Sequence, residues 1–285
     1  MGKSTNNIGS VKSVNIDGIE LSYRRDGHAS KAVIFLHGNS STKEVFQAQF
    51  KHYHNKELTL IAVDLPGHGK SGNAPNPELH YTIPGYARII SKFLETLNIN
   101  DFIIVGWSLG GNIAVELVGQ TNGGGCSPKA ILIMGAPPLG PGPENFEKAY
   151  LPIISDMIIS KNDATKDELE IFTKAIYGTL SPIPEQFFEA AYRTDGRARE
   201  IMEAHWLGSK DGYDQLETVL NWSKSICVVH GIDDPFVSLD YLKNTKWGSL
   251  WDGKIIEIPD CGHAPFIENS IKFNAILDNF ISDIF

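Results

Sequence analysis

The stretch VGWSLGGN, Val105 to Asn112, sets a single serine between glycines directly after an apolar run. Gly106 to Gly110 fit the pattern G-x-S-x-G. The preceding DFIIVG, from Asp101, reads as a strand buried on both faces, and Leu109 to Val118 reads as a helix. Ser108 therefore stands at a sharp turn from strand to helix. Such a turn holds its central residue in a strained conformation, and glycines at 106 and 110 remove Cβ atoms that would collide there. The hydroxyl then projects over the strand ends, where the first N–H groups of the helix from Leu109 can stabilise an oxyanion. The plainer reading of Ser108 is a helix N-cap. Two glycines in a strand-turn-helix context favour a nucleophile.

Working outward, further short runs rich in Val and Ile begin at Ala32 (AVIFLH), Thr59 (TLIAVD), Ala130 (AILIMG), Ser225 (SICVVHG) and Lys254 (KIIEIPD). Helical stretches alternate with them, notably Gly85 to Leu97 with Tyr86, Ile89, Ile90, Phe93 and Leu94 at helical spacing. This alternation predicts an α/β protein with a mostly parallel central sheet, helices on both faces and right-handed crossovers. SVNIDGIELSYRR carries Asp17-Gly18 between two partly alternating runs, the signal for an antiparallel hairpin ahead of the parallel part. After Met134 the rhythm breaks. From Pro137 to about Asn221 prolines are frequent, helical stretches such as KDELEIFTKAIYG and PEQFFEAAYR follow, and no buried strand is evident. The expectation is a helical cap, residues 137–221, inserted after the sixth strand of a core formed by 1–136 and 222–285. Gly123-Gly124-Gly125 reads as a loose exit from the preceding helix, and the chain closes on an amphipathic helix in which Ile271, Phe273, Ile276, Leu277 and Phe280 recur.

Composition removes several classes of function. With 285 residues, 42% of them apolar and 21% charged, the chain can bury a large core. A formal charge of -9 leaves no footprint for nucleic acid or anionic lipid. The cysteines Cys126, Cys227 and Cys261 are odd in number and lack C-x-x-C spacing, which fits a reducing compartment. MGKSTNNIGS has no apolar targeting region and no run approaches a membrane span, so the expected location is cytoplasmic, with neither membrane nor nucleic acid as partner.

A serine nucleophile needs a base, and the base needs an orienting acid, in the chain order Ser, acid, His. CGHAPFIE places His263 in a loop after the last predicted strand, within reach of the sheet edge that carries Ser108. The other eight histidines are placed less well. HGIDDPFVS follows the strand ending at Val229 and offers Asp233 and Asp234 as acids. HGNSSTK follows the third strand, where Asn39 could supply a second oxyanion donor or simply form a Gly-Asn turn. DLPGHGKS has Asp64 where a phosphate loop requires Gly, so it reads as a structural turn. No motif for a metal or nucleotide is present, and the proposed chemistry needs no cofactor.

HGNSS, DLPGHGKS, GWSLGG, HGIDDPFV and CGHAPF, in this order and spacing, resemble an α/β-hydrolase over essentially the whole chain. Within that superfamily the chain most resembles the bacterial N-acyl-homoserine lactonases of α/β-hydrolase fold, with TDGRAR in the cap and SLWDGK before GHAPF among the shared stretches. The resemblance implies Ser108 as nucleophile, Asp234 as orienting acid and His263 as base. It also implies an oxyanion hole made by Asn39 and the Leu109 N–H. The implied partner is a small-molecule ester or lactone, and the implied activity is homoserine lactone opening, a quorum-signal degradation.

Among the aromatics expected in the cap, Phe172, Tyr177, Phe187, Phe188, Tyr192 and Trp206, the first two join Trp107 as pocket candidates; packing of the cap onto the core is the plainer role for most. Arg197 and Arg199 read as a solvated face. A general carboxylesterase, a carbon–carbon bond hydrolase or a perhydrolase would use the same residues. A small-molecule receptor with a retained triad is the alternative of another class, and Ser108 argues against the branches that use an Asp nucleophile.

Overall fold

A computed structural model describes residues 8–120, 126–152, 160–178, 180–208 and 212–285, with the side chains of 206–208 excepted. The Gly123–Gly125 exit and the Trp206 side chain lie outside the described residues.

Eight strands form one sheet: β1 (Ser10–Ile16), β2 (Ile19–Asp26), β3 (Lys31–Leu36), β4 (Thr59–Val63), β5 (Asp101–Trp107), β6 (Ala130–Met134), β7 (Ile226–Gly231) and β8 (Ile256–Ile258). Their order is β1-β2-β4-β3-β5-β6-β7-β8. β1 pairs antiparallel with β2 and β2 with β4, and every other pairing is parallel. The opening hairpin turns on Asp17 and Gly18, both left-handed at φ 51° and 82°. That is the backbone an Asp-Gly pair supplies most readily. β4, β6 and β7 are buried throughout, as their unbroken apolar runs require when helices cover both faces.

The strand order sets the place of the site. After β3 the chain crosses to β4 on one side, then returns to β5 on the other. The carboxyl ends of β3 and β5 therefore part around a crevice, Leu36 facing Gly106 in register.

The helix predicted from Gly85 starts earlier, at Ile83, because the Thr82 hydroxyl caps it by accepting from the Gly85 N–H (3.0 Å) and Pro84 occupies its first turn. The Leu109–Gln120 helix is buried from end to end up to Gly119, lying between the sheet and the segment that joins β6 to β7. That segment contains helices Pro143–Ala149, Lys166–Ile176, Glu185–Arg193, Gly196–Gly208 and Gln215–Asn221, and no strand among its described residues. In the closing helix, Ser270–Ile284, the buried stripe is Phe273, Leu277 and Phe280. Ile271, expected in that stripe, is 86% exposed. It sits two residues before Phe273, about 200° around the helix and so on the opposite face.

DLPGHGKS wraps around its own acid. The Asp64 carboxylate is wholly buried and accepts from the Lys43 and Lys70 amides (2.7 and 2.9 Å) and from the Lys43 ammonium (2.6 Å). The Ser71 hydroxyl donates to the Asp64 carbonyl (2.6 Å) and accepts from the Ser22 N–H (2.9 Å). The turn is a structural staple between the sheet and its loops.

Candidate active site

Ser108 is the first residue beyond β5 and has φ 52°, a left-handed conformation that non-glycine residues rarely adopt. Its N–H donates to the Met134 carbonyl (2.8 Å), and its own carbonyl accepts from Gly111 and Asn112 (2.8 and 3.2 Å), starting the next helix. The turn is tight. A Cβ at Gly106 would stand 2.5 Å from the Gly110 carbonyl oxygen, and one at Gly110 would stand 2.2 Å from that of Leu36. From Phe102 to Gly119 every residue is buried except Ser108. The one opening in that run is the serine.

His263, in the loop after β8, is 5% exposed, and its Nδ1 lies 2.9 Å from Asp234 Oδ2. The other Asp234 oxygen accepts from the Phe236 and Val237 N–H groups (2.8 and 3.2 Å). Burial alone would raise this carboxyl, yet the facing imidazole and the donated hydrogen bonds hold it below the ordinary carboxylate range. An ionised acceptor at Oδ2 requires the proton on Nδ1, which leaves Nε2 as the basic nitrogen. Asp233 is exposed, so of the two acids open to the sequence the structure brings Asp234 to the histidine.

Three residues pack closely around His263. A Cβ at Gly135, just past β6, would stand 2.7 Å from His263 Cε1. The Phe236 ring meets the imidazole edge to face at 4.8 Å, and Trp107 Nε1–H donates to the His263 carbonyl (2.8 Å).

Ser108 and His263 open into one small cavity whose wall includes Gly38, Asn39, Trp107 and Leu109 from the sheet side and Tyr150, Phe172, Ile176 and Met202 from the helical segment. Space open to the centre of a water molecule is about 30 Å³, room for two or three waters. Asn39 is buried at the end of β3, with its Oδ1 accepting from the Ser40 hydroxyl at 3.3 Å. Leu109 is the first helical residue, so its N–H has no partner within the helix. Trp107 and Phe172 thus line the cavity as expected. Tyr177 does not. It packs behind Trp107 (ring centroids 5.8 Å) and on Phe187 (4.4 Å), its hydroxyl 3.3 Å from that of Ser41.

The sequence missed Tyr150, Ile176, Met202 and Phe236 as cavity residues. Only Phe236, two residues beyond Asp234, carried a local signal. Arg199 also differs from expectation: Arg197 is exposed and paired with Asp195 (2.7 Å), but Arg199 is 3% exposed. Its guanidinium donates to the Lys161 carbonyl (3.0 Å) and to the Ser40 hydroxyl (3.4 Å), so the helical segment is tied to the loop that carries Asn39. A larger cavity, about 200 Å³, is lined by Pro84, Glu116, Leu139, His205 and Gln215 but by neither Ser108 nor His263.

The loop after β3 is braced by two buried histidines. His37 Nε2 accepts from the Leu65 N–H (3.0 Å) while its Nδ1–H donates to the Gly38 carbonyl (2.8 Å), and the His68 ring packs 5.3 Å away. Burial lowers His37 to about 4 and His68 to about 3. Both are neutral when folded, whereas unfolded histidine protonates near pH 6.5. Their contribution to stability is complete above that pH and is lost as pH falls to about 4 for His37 and about 3 for His68, at up to about 2.7 kcal/mol per pH unit while both titrate. Urea unfolding between about pH 7 and 5 measures the slope. His68→Gln is expected to halve it, and a wild-type stability that stays flat over this range overturns the assignment.

Among the described residues no cluster of His, Cys, Asp and Glu is placed to hold a metal, and no helix is long and apolar enough to cross a membrane.

The chain belongs to the alpha/beta hydrolase family, whose model matches residues 33–276. Among solved structures it is similar to the N-acyl homoserine lactonase AidH. A variant of AidH in complex with N-hexanoyl homoserine lactone has a TM-score of 0.89 and 31% identity, over 96% of this chain and 98% of that one. AidH has also been solved with N-butanoyl homoserine, at 32% identity over 96% of this chain and 97% of that one. A monoacylglycerol lipase of Xenopus laevis is 36% identical over 266 residues, 89% of this chain and 76% of its own length. The hydrolase superfamily protein YisY of Bacillus subtilis is 24% identical over 255 residues, 89% of this chain and 92% of its own length.

Proposed function

We propose that this protein opens N-acyl-homoserine lactones by serine-dependent hydrolysis. The observation that carries the reading is Ser108 in a left-handed turn, opening onto the same cavity as a histidine whose far nitrogen meets a buried, fully hydrogen-bonded carboxylate. Likeness to AidH over nearly the whole chain supports this substrate class.

In this reading Ser108 Oγ attacks the lactone carbonyl as His263 Nε2 takes its proton, and Asp234 stabilises the resulting imidazolium. The oxyanion lies between Asn39 and the Leu109 N–H. When the tetrahedral intermediate collapses, the C–O bond to the ring oxygen breaks, and that oxygen leaves with the proton from His263. Water, deprotonated by His263, then hydrolyses the acyl-enzyme to the open hydroxy acid.

Residues 137–221 act as a cap whose apolar wall of Tyr150, Phe172, Ile176 and Met202 accommodates the acyl tail. An acyl-homoserine lactone exceeds the present space of about 30 Å³, so the reading requires the cap to lift before substrate enters. A second reading, a carboxylesterase acting on acylglycerol-like esters, is favoured by the likeness to the monoacylglycerol lipase.

Mass spectrometry separates the two. The purified protein is incubated with N-butanoyl, N-hexanoyl and N-dodecanoyl homoserine lactones, a monoacylglycerol and a nitrophenyl ester. Gain of one water on the lactones is the expected result. Turnover of the esters alone moves the assignment to a carboxylesterase, and turnover of none, with lactone still bound, leaves a receptor.

A further inference from the structure

The loop that carries His263 is held by a carboxylate that the chemistry itself does not use. Glu268 Oε2 accepts from the Gly262 N–H at 2.6 Å, and Glu268 Oε1 accepts from the Ala264 N–H at 2.8 Å. The two oxygens thus take the amides on either side of His263, and the histidine's own carbonyl is taken by Trp107 Nε1–H at 2.8 Å. The peptide group between His263 and Ala264 is therefore held at both ends, its N–H by the Glu268 carboxylate and its carbonyl by the residue next to Ser108, and the peptide group that precedes Gly262 is held by the other carboxylate oxygen. Since Trp107 directly precedes Ser108, its bond ties the base loop to the nucleophile turn.

We propose that Glu268 is a positioning residue for the reaction: its carboxylate sets the peptide frame that aims the His263 imidazole between Asp234 and Ser108. The inference rests on the reading of His263 as the base. The simpler role for Glu268 is to cap the short Pro265–Glu268 helix, since Ala264 is that helix's N-cap residue. A cap would affect folding alone. A positioning group affects the rate of the folded enzyme, because a displacement of about 1 Å between reacting groups costs on the order of a hundredfold in rate.

The two contacts favour a carboxylate over its neutral amide relative. Two N–H groups need two acceptors, and glutamine offers one while setting its NH2 against the other amide.

The test uses the rate at which Ser108 is labelled by a fluorophosphonate, which reports base-assisted nucleophilicity without reference to the natural substrate, alongside kcat and KM on whichever ester or lactone turns over. Glu268→Ala is expected to lower the labelling rate and kcat by about 10- to 100-fold with KM within about twofold, and Glu268→Gln to lower them less. Trp107→Phe, which keeps an aromatic ring but removes the donor to the His263 carbonyl, is expected to fall in the same direction.

His263→Ala is the reference. If it labels and turns over like the wild type, the reading of His263 as base fails. If it is inactive while a folded Glu268→Gln or Glu268→Ala keeps wild-type labelling and kcat, the positioning role is overturned and Glu268 is only a helix cap. Should Glu268→Ala not fold, the near-isosteric Glu268→Gln carries the decision by itself.

Discussion

Ser108→Ala is expected to lose turnover of every ester and lactone substrate by about five to six orders of magnitude in kcat while retaining substrate binding. The size follows from the proposed mechanism, in which the nucleophile and its base act as one unit. Without the hydroxyl, neither the imidazole nor the oxyanion donors have a bond to assist. The geometry adds a second expectation. Ser108 sits at φ 52°, where any residue with a Cβ is strained by roughly 1 kcal/mol or more. Ser108→Gly should therefore be as inactive as Ser108→Ala yet more stable than it by about that amount, the strain being a cost the active residue imposes on the fold. Single-turnover kinetics with thermal unfolding of both variants measures the two effects. Retention of more than a hundredth of wild-type kcat by Ser108→Ala would sink the covalent mechanism and leave direct attack by water.

Asp234→Asn is expected to lower kcat by about four orders of magnitude with little change in structure. The reason lies in the second oxygen. Oδ1 accepts from the Phe236 and Val237 amides, so an asparagine must keep its carbonyl there and turn its NH2 toward His263 Nδ1. That donor forces the imidazole to accept at Nδ1 and carry its proton on Nε2, the nitrogen required as base. Asp233→Asn, at an exposed position, serves as the control and should keep its rate. The pH dependence of kcat/KM for both variants checks this, and an Asp234→Asn enzyme within tenfold of wild type would overturn the role of the acid.

Much of the architecture was legible because it is written in local periodicity. Unbroken Val/Ile runs mark strands covered on both faces, the Asp17-Gly18 pair marks a hairpin, and the interrupted rhythm after Met134 marks the helical segment that separates β6 from β7. Ser108 was legible for the same reason. A strand, a turn and a helix in direct succession leave one place for a strained serine, and the glycines beside it record contacts that a Cβ would break. His263 was legible from its distance past the last strand, since strand ends in a parallel sheet converge on one edge.

What lay beyond the sequence depends on which way side chains turn once distant segments meet. Asp233 and Asp234 are adjacent in the chain, and only the packing of the loop after β7 against the loop after β8 brings one to His263 and leaves the other in solvent. Tyr177 and Phe172 share a helix and its end, yet one backs Trp107 and the other faces the cavity. Ile271 matches the composition of its helix but falls on the outer face. Arg199 looks solvated in sequence and is buried because carbonyls and a hydroxyl from three separate segments close around its head. Pattern and spacing along the chain determined the fold and the two residues placed by strand ends. Choice of acid, the cavity wall and the clamp on His263 were decided by tertiary structure, because burial and hydrogen-bond partners are properties of contacts between residues far apart in the chain.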